Sequence, residues 1–209
     1  MIEKTPAILV PGIGPLPWVY DILTKTFRLR GIKMEFFPVE WWSDGKNKFI
    51  ETQNKFFDRI DKLYNGRDRV SLLGISAGGP FTLEALTSLE GMVRKVVTVA
   101  GCNSPKNETN KVAYEKLYEG NKVFEEMIES LDGTMETLKN RNDLAKNVMT
   151  YVVKGDDVVP NESQFFDGAD FIEIPTIKLP HLTHHESSIV RGMVFDSRNM
   201  AKFLRNENN

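Results

Sequence analysis

A single serine stands among glycines at the end of an apolar run, in Gly74-Ile75-Ser76-Ala77-Gly78. The run is typical of a buried β-strand, and a helical pattern begins directly after it. A strand that turns this sharply into a helix strains the junction residue and needs neighbours without a Cβ. The serine hydroxyl would then point outward at the carboxyl edge of a sheet, above a helix N-terminus that favours negative charge. The pattern predicts a nucleophile at Ser76. The alternative is a tightly packed or phosphate-gripping turn, although the chain lacks the Gly-x-x-x-x-Gly-Lys-Ser/Thr and Gly-x-Gly-x-x-Gly patterns.

A serine hydroxyl becomes a good nucleophile when a base removes its proton and a third group orients that base. The three histidines all lie in "LPHLTHHESSIV": His181 follows a predicted strand, and His184 and His185 begin the last predicted helix. Because functional residues concentrate in loops at strand ends, we favour His181 as the base and interpret the other two as a polar helix entrance. For the acid, "VVKGDDVVP" offers Asp156 and Asp157 just beyond the fifth predicted strand, with an Asp-rich turn as the structural alternative.

Short apolar runs alternate with longer segments of helical periodicity along the chain. Six runs predict strands, at 7–10, 32–39, 69–75, 93–100, 146–155 and 170–177. The predicted helices cover about 16–30, 46–64, 81–89 and 186–204. Strands separated by helices imply right-handed crossovers and a mostly parallel sheet with helices on both faces. Residues 103–147 form a longer charged segment, which we interpret as a helical insertion within a single domain spanning 1–209.

Composition limits the classes of function. The chain has 209 residues and a formal net charge of −2, which argues against a nucleic-acid-binding groove. A single cysteine, Cys102, excludes an intramolecular disulfide and fits a reducing compartment. The N-terminus lacks the apolar region of a signal peptide, and no segment approaches the roughly 20 apolar residues of a membrane span. We therefore expect a cytoplasmic protein without a membrane span; the sequence leaves its oligomeric state open.

These motifs together resemble the α/β-hydrolase superfamily, and in size and spacing its small, compact lipase- and esterase-like members. Ser, then Asp, then His is the chain order of that superfamily. "GISAGG" resembles its nucleophile elbow, "GDDVVP" its acid turn and "HLTHHESSIV" its histidine loop. The resemblance implies a catalytic triad of Ser76, Asp156 and His181, because the acid usually lies four residues before the proline. It also implies six strands in the order 2-1-3-4-5-6, without the superfamily's first two antiparallel strands.

The segment "LVPGIGP" corresponds by this resemblance to the oxyanion loop, usually written His-Gly-x-Gly, with Pro11 in the place of the histidine. The resemblance implies that the backbone N–H groups of Ile13 and Ala77 form the oxyanion hole. Removing one such donor typically costs about 3–4 kcal/mol in the barrier.

The insertion stands where the superfamily carries a cap over the site. Its apolar side chains, among them Tyr114 and Phe124, would line an acyl pocket or cover the insertion's own small core. Trp41 and Trp42 follow the second predicted strand at the same edge of the sheet. One of the pair could wall the pocket, although packing is the better interpretation for at least one of them.

The resulting hypothesis is a serine hydrolase that cleaves carboxylic esters of small molecules through an acyl-enzyme, without cofactor or metal. Thioester, amide, carbon–carbon or perhydrolytic chemistry on the same triad is an alternative. A non-catalytic binding protein with this fold is another, since fold does not determine function. The sequence does not separate these alternatives.

Overall fold

The computed structural model describes residues 5–14, 17–43, 48–64, 66, 68–104, 119–180 and 182–206. Its six strands are β1 (Thr5–Val10), β2 (Ile32–Phe36), β3 (Val70–Ile75), β4 (Val93–Val99), β5 (Val148–Lys154) and β6 (Asp170–Pro175). They form one sheet in the order β2-β1-β3-β4-β5-β6, and every neighbouring pair is parallel. The predicted parallel sheet and its strand order are therefore confirmed. Since parallel strands need crossovers, their carboxyl ends meet at one edge.

Seven helices connect and cover these strands within the described ranges. They are α1 (Pro17–Leu29), α2 (Lys48–Tyr64), α3 (Gly78–Ser88), α4 (Lys122–Asn140), α5 (Asn142–Ala145), α6 (His184–Phe195) and α7 (Ser197–Leu204). A 3₁₀ turn, Asn161–Ser163, follows β5. The last predicted helix is divided in two, because the backbone at Asp196 leaves the helical region at φ −94° and ψ 5°.

Two apolar cores lie on opposite faces of the sheet, because successive side chains of a strand point to opposite sides. Ile8 and Leu72 belong to the core beneath α2, α3 and α4, whereas Leu9 and Leu73 belong to the core beneath α1, α6 and α7. Ser71 links β3 to the helices of this second core, since its Oγ donates a hydrogen bond to the carbonyl of Leu204, at the end of α7, at 2.6 Å. The four central strands β1, β3, β4 and β5 are thus mostly buried, whereas the edge strands β2 and β6 are partly exposed.

The described part of the predicted insertion has no separate core of its own, because it packs into the main core. The buried face of α4 belongs to the main core with Phe81 of α3 and Phe56 of α2. Phe124, predicted to contact the substrate, lies in this core with 2% of its surface exposed. Tyr114 lies outside the described residues. None of the described helices combines the length and apolar character needed to cross a bilayer.

Candidate active site

Ser76 occupies the turn between β3 and α3, and its backbone has a positive φ of 50°. Gly74 and Gly78, on either side of Ser76, must be glycine because a Cβ at either position would collide with the backbone. A Cβ at Gly74 would lie 2.6 Å from the carbonyl oxygen of Gly78, and a Cβ at Gly78 would lie 2.4 Å from that of Val10. The Ser76 amide donates to the carbonyl of Val99 at 2.9 Å, which fixes the turn against β4. This strained strand–turn–helix junction is the local structure that the sequence predicted.

The loop after β1 packs directly against this turn. A Cβ at Gly12 would lie 2.8 Å from the Cβ of Ser76, so only glycine allows the two backbones to approach so closely. Ile13 follows in the same loop and lines a cavity together with Ser76. Ala77 is the fully buried N-cap residue of α3, where the first N–H groups lack intrahelical partners. The two predicted oxyanion donors therefore lie on the two segments that flank the serine.

Asp156 lies in the turn after β5 with its side chain fully buried. Its Oδ1 accepts hydrogen bonds from the amides of Val158 at 2.8 Å and Val159 at 3.2 Å. Its Oδ2 accepts a longer bond, 3.4 Å, from Nε2 of Gln164. Three donors from the following turn therefore hold this carboxylate in one orientation.

The imidazole that contacts Asp156 belongs to His185. Its Nδ1 lies 2.7 Å from Oδ2 and 2.9 Å from Oδ1, and 9% of the side chain is exposed. Since a carboxylate only accepts hydrogen bonds, Nδ1 carries the donated proton, and Nε2 of the neutral ring is left with its lone pair. The sequence analysis placed the base at His181, which lies outside the described residues, and interpreted His185 as part of a polar helix entrance.

A capping box explains how His185 is held. The Thr183 hydroxyl accepts from the Glu186 amide at 3.1 Å, and the Glu186 carboxylate accepts from the Thr183 amide at 2.9 Å. This box starts α6 at His184 and puts His185 in its first turn. Asp157 adds a further restraint, because its Oδ1 accepts from the His185 amide at 3.1 Å. The Thr-x-x-Glu spacing was readable in the sequence and indicates a helix start.

Ser76 and His185 line the same cavity, whose volume is ≈ 40 Å³. The rest of the lining comes from the loop after β1, the end of β3, and helices α1 and α6: Gly12, Ile13, Gly14, Val19, Tyr20, Ile75, Glu186, Ile189 and Val190. Within the described part of the chain, no direct hydrogen bond joins Ser76 Oγ to the His185 ring. Such bonds are often long before a substrate binds. The arrangement offers a hydroxyl, a base and an acid at the carboxyl edge of the sheet.

Tyr20 is a polar side chain of this cavity that the sequence analysis did not identify. The pKa of Tyr20 is raised to about 12: burial is the largest cause, a hydrogen bond with the main chain at Gly12 opposes the rise, and the nearby Glu186 carboxylate adds to it. Its ring stacks on Phe36 with 5.3 Å between centroids. The phenol therefore stays protonated across the pH range in which a histidine base works.

The two predicted tryptophans lie apart from this lining. Trp41 is 5% exposed and packs edge-on against Phe81 at 5.5 Å, whereas Trp42 is 66% exposed. Trp41 thus has the packing role that the sequence analysis allowed for one of the pair. Among the described residues, no group of three or more His, Cys, Asp or Glu side chains is placed to hold a metal ion.

Comparisons with known proteins establish the fold. No family model and no curated protein matches the sequence. A structure described as that of LipS and LipT, two metagenome-derived lipolytic enzymes, has a TM-score of 0.66 at 12% identity and covers 99% of this chain and 96% of its own. MGS-MChE2, an α/β-hydrolase enzyme from the metagenome of lagoon sediments of Mar Chica, Morocco, has 0.65 at 20% identity over 99% and 93%. The Bacillus licheniformis lipase BlEst2 has 0.65 at 16% identity over 97% and 93%. The chain has the α/β-hydrolase fold, as its sequence motifs predicted.

Proposed function

We propose that this protein is a serine hydrolase that cleaves carboxylic esters through Ser76, His185 and Asp156. The observation that supports the proposal most is the 2.7 Å contact between His185 Nδ1 and Asp156 Oδ2, beside a cavity that Ser76 also lines. The lipases and esterases of similar fold support the choice of ester chemistry. The base in this proposal is His185 instead of His181, because it is the histidine that contacts the buried acid.

The first half of the reaction forms an acyl-enzyme. Ser76 Oγ attacks the ester carbonyl carbon while His185 Nε2 accepts the hydroxyl proton. Asp156 keeps the proton on Nδ1 and stabilises the positive charge of the ring. The amides of Ile13 and Ala77 stabilise the oxyanion of the tetrahedral intermediate. The carbon–oxygen bond then breaks, and the leaving alcohol takes the proton from Nε2.

The second half repeats these steps with water. His185 removes a proton from the water, the hydroxide adds to the acyl carbon, and the intermediate releases the acid while Ser76 regains its proton. The buried position of Asp156, with its three donors, prevents it from rotating away between the two halves.

The test uses a fluorophosphonate probe and p-nitrophenyl acetate. The wild type should be labelled at Ser76 and hydrolyse the ester. S76A should lose labelling, and both S76A and H185A should lose about 10⁴-fold or more in kcat. H181A and H184A are matched controls and should keep kcat within about threefold, since neither side chain contacts the acid in this proposal.

Each outcome separates one part of the proposal. An unlabelled, inactive wild type that still binds an ester tightly would favour a non-catalytic binding protein. If H181A loses activity and H185A keeps it, the base is His181 and not His185. Faster turnover of a thioester or anilide than of the ester with the same acyl group would replace the ester as substrate.

A further inference from the structure

The cavity beside Ser76 is small and lies between α1 and α6 above the end of β3. Its volume is ≈ 40 Å³, and one water needs about 10–15 Å³ of such space. The space therefore accommodates roughly three or four groups of that size, which corresponds to an acyl chain of about two to four carbons.

The apolar walls of the cavity belong to the core. Val19, Ile75 and Ile189 are at most 7% exposed and are members of the core beneath α1, α6 and α7. Because protein interiors are close-packed, these side chains cannot move aside for a longer chain without disturbing the packing behind them. The size limit is thus set by elements of the fold.

A carboxylate gives the cavity its charge. Glu186 lines it, and the capping box holds the carboxylate at Thr183. The field of this carboxylate reaches Tyr20 across the cavity, where it raises the pKa of the phenol. Among the described residues that line this cavity, none is a Lys or an Arg. The Glu186 carboxylate would therefore repel a second carboxylate that an acyl group carried into this cavity.

We infer that the substrates are esters of short, uncharged acyl groups of about two to four carbons, which occupy the cavity formed by Val19, Ile189 and Glu186. This inference rests on the proposed function and specifies its substrate class. Ile189 limits the length of the acyl group, and Glu186 disfavours acyl groups that end in a carboxylate.

The test of length uses p-nitrophenyl acetate, butyrate, hexanoate and octanoate. The wild type should have its highest kcat/KM at two to four carbons and lose at least about tenfold by octanoate, since one misfitting methylene costs about 10–200-fold. I189A should move the optimum toward hexanoate. M193A, one turn further along α6 and buried outside the cavity, is the control and should lower the melting temperature without moving the optimum.

The test of charge compares p-nitrophenyl butyrate with mono-p-nitrophenyl succinate. E186Q keeps the capping box, because glutamine fulfils the same role at this position, and removes only the charge. We expect E186Q to raise the kcat/KM ratio of succinate to butyrate by about three- to tenfold, with a smaller gain at high salt. The control E136Q removes an exposed carboxylate of α4 and should leave the ratio unchanged.

Failure of this inference differs from failure of the proposed function. A wild type that hydrolyses no ester contradicts the proposed function. If the wild type hydrolyses p-nitrophenyl octanoate fastest, the cavity does not limit the length of the acyl group. If I189A shifts the optimum in a series of alkyl acetates and not in the series of acyl chains, the cavity binds the alcohol part of the ester. Either result overturns the inference that the cavity binds the acyl group. An unchanged succinate ratio in E186Q overturns the charge assignment.

Discussion

Replacing Gln164 should impair catalysis although this residue touches neither Ser76 nor His185. The side chain is fully buried after the 3₁₀ turn. Its Oε1 accepts from the Val153 amide at 2.7 Å, and its Nε2 donates to the carbonyl of Val159 at 2.8 Å and to Asp156 Oδ2 at 3.4 Å. Asn103, in the loop after β4, holds the same residue, because its Nδ2 donates to the Gln164 carbonyl at 2.6 Å. Gln164 therefore joins both ends of the turn that carries the acid.

The size of the effect follows from the groups that lose their partners. Gln164→Met keeps the length of the side chain but leaves the Val153 amide and the Val159 carbonyl unpaired. Each such buried group costs about 1–3 kcal/mol, so the free energy of unfolding should fall by roughly 2–6 kcal/mol. Loosening the turn displaces Asp156, and a displacement of about 1 Å costs up to about a hundredfold in rate. We expect kcat for a short ester to fall about ten- to hundredfold with little change in KM.

The assay measures kcat, KM and the melting temperature together. S71A is the control, since it removes a buried hydrogen bond of β3 far from the acid turn. It should lower stability by about 1 kcal/mol and leave kcat unchanged. Q164E, which places a second carboxylate beside Asp156, should move the acid limb of the kcat/KM profile to higher pH by stabilising the protonated His185 ring. A folded Q164M protein with wild-type kcat and an unshifted limb in Q164E would refute the positioning role.

Two further predictions concern the elbow and a buried carboxyl. Gly78→Ala should lower both kcat and the melting temperature, because the new Cβ would lie 2.4 Å from the Val10 carbonyl oxygen. The control is Gly133→Ala on the open face of α4, which should stabilise the folded protein by about 1 kcal/mol. A Gly78→Ala protein with wild-type kcat and melting temperature would contradict the packing argument. Burial raises the pKa of Glu84, so its ionised form destabilises the fold once the pH rises through the folded-state pKa. Glu84→Gln should therefore raise the melting temperature at pH 7, and this gain should disappear below about pH 4, where the carboxyl is protonated in both states. An equal gain at both pH values would contradict the burial argument.

The sheet and the nucleophile turn could be predicted because their causes are local. A strand buried on both faces must be largely apolar, as in Val70–Ile75, where Ser71 is the one polar side chain and has a hydrogen-bond partner; a turn this tight also leaves no room for a Cβ at Gly74 or Gly78. The preference for Asp156 over Asp157 came from the spacing to the proline, and in the structure it is Asp156 that contacts an imidazole.

The proposed base, His185, and the cavity could not be predicted in the same way. The Thr183–Glu186 capping box was readable, but which side of the first turn of α6 faces the acid depends on how that helix packs against the end of β5. Val19 and Ile189 line one cavity because α1 and α6 are neighbours on one face of the sheet, although the two residues are far apart in sequence. The role of Gln164 could not be predicted from any sequence pattern, because a buried amide in a turn is identified only by its hydrogen-bond partners in the folded structure.

The same short turn supports both the proposed base, His185, and the cavity wall. Asp156 binds the ring of His185, and Asp157 binds the backbone amide of that residue. The turn therefore restrains the imidazole and the first turn of α6, which begins at the Thr183–Glu186 capping box. Glu186 and Ile189 lie on that helix within the next turn. The position of the helix therefore determines where the charge and the length-limiting side chain of the cavity lie. Changes in the acid turn should consequently alter acyl preference together with rate, whereas changes at Ile189 alone should alter preference and leave the Asp156–His185 contact intact.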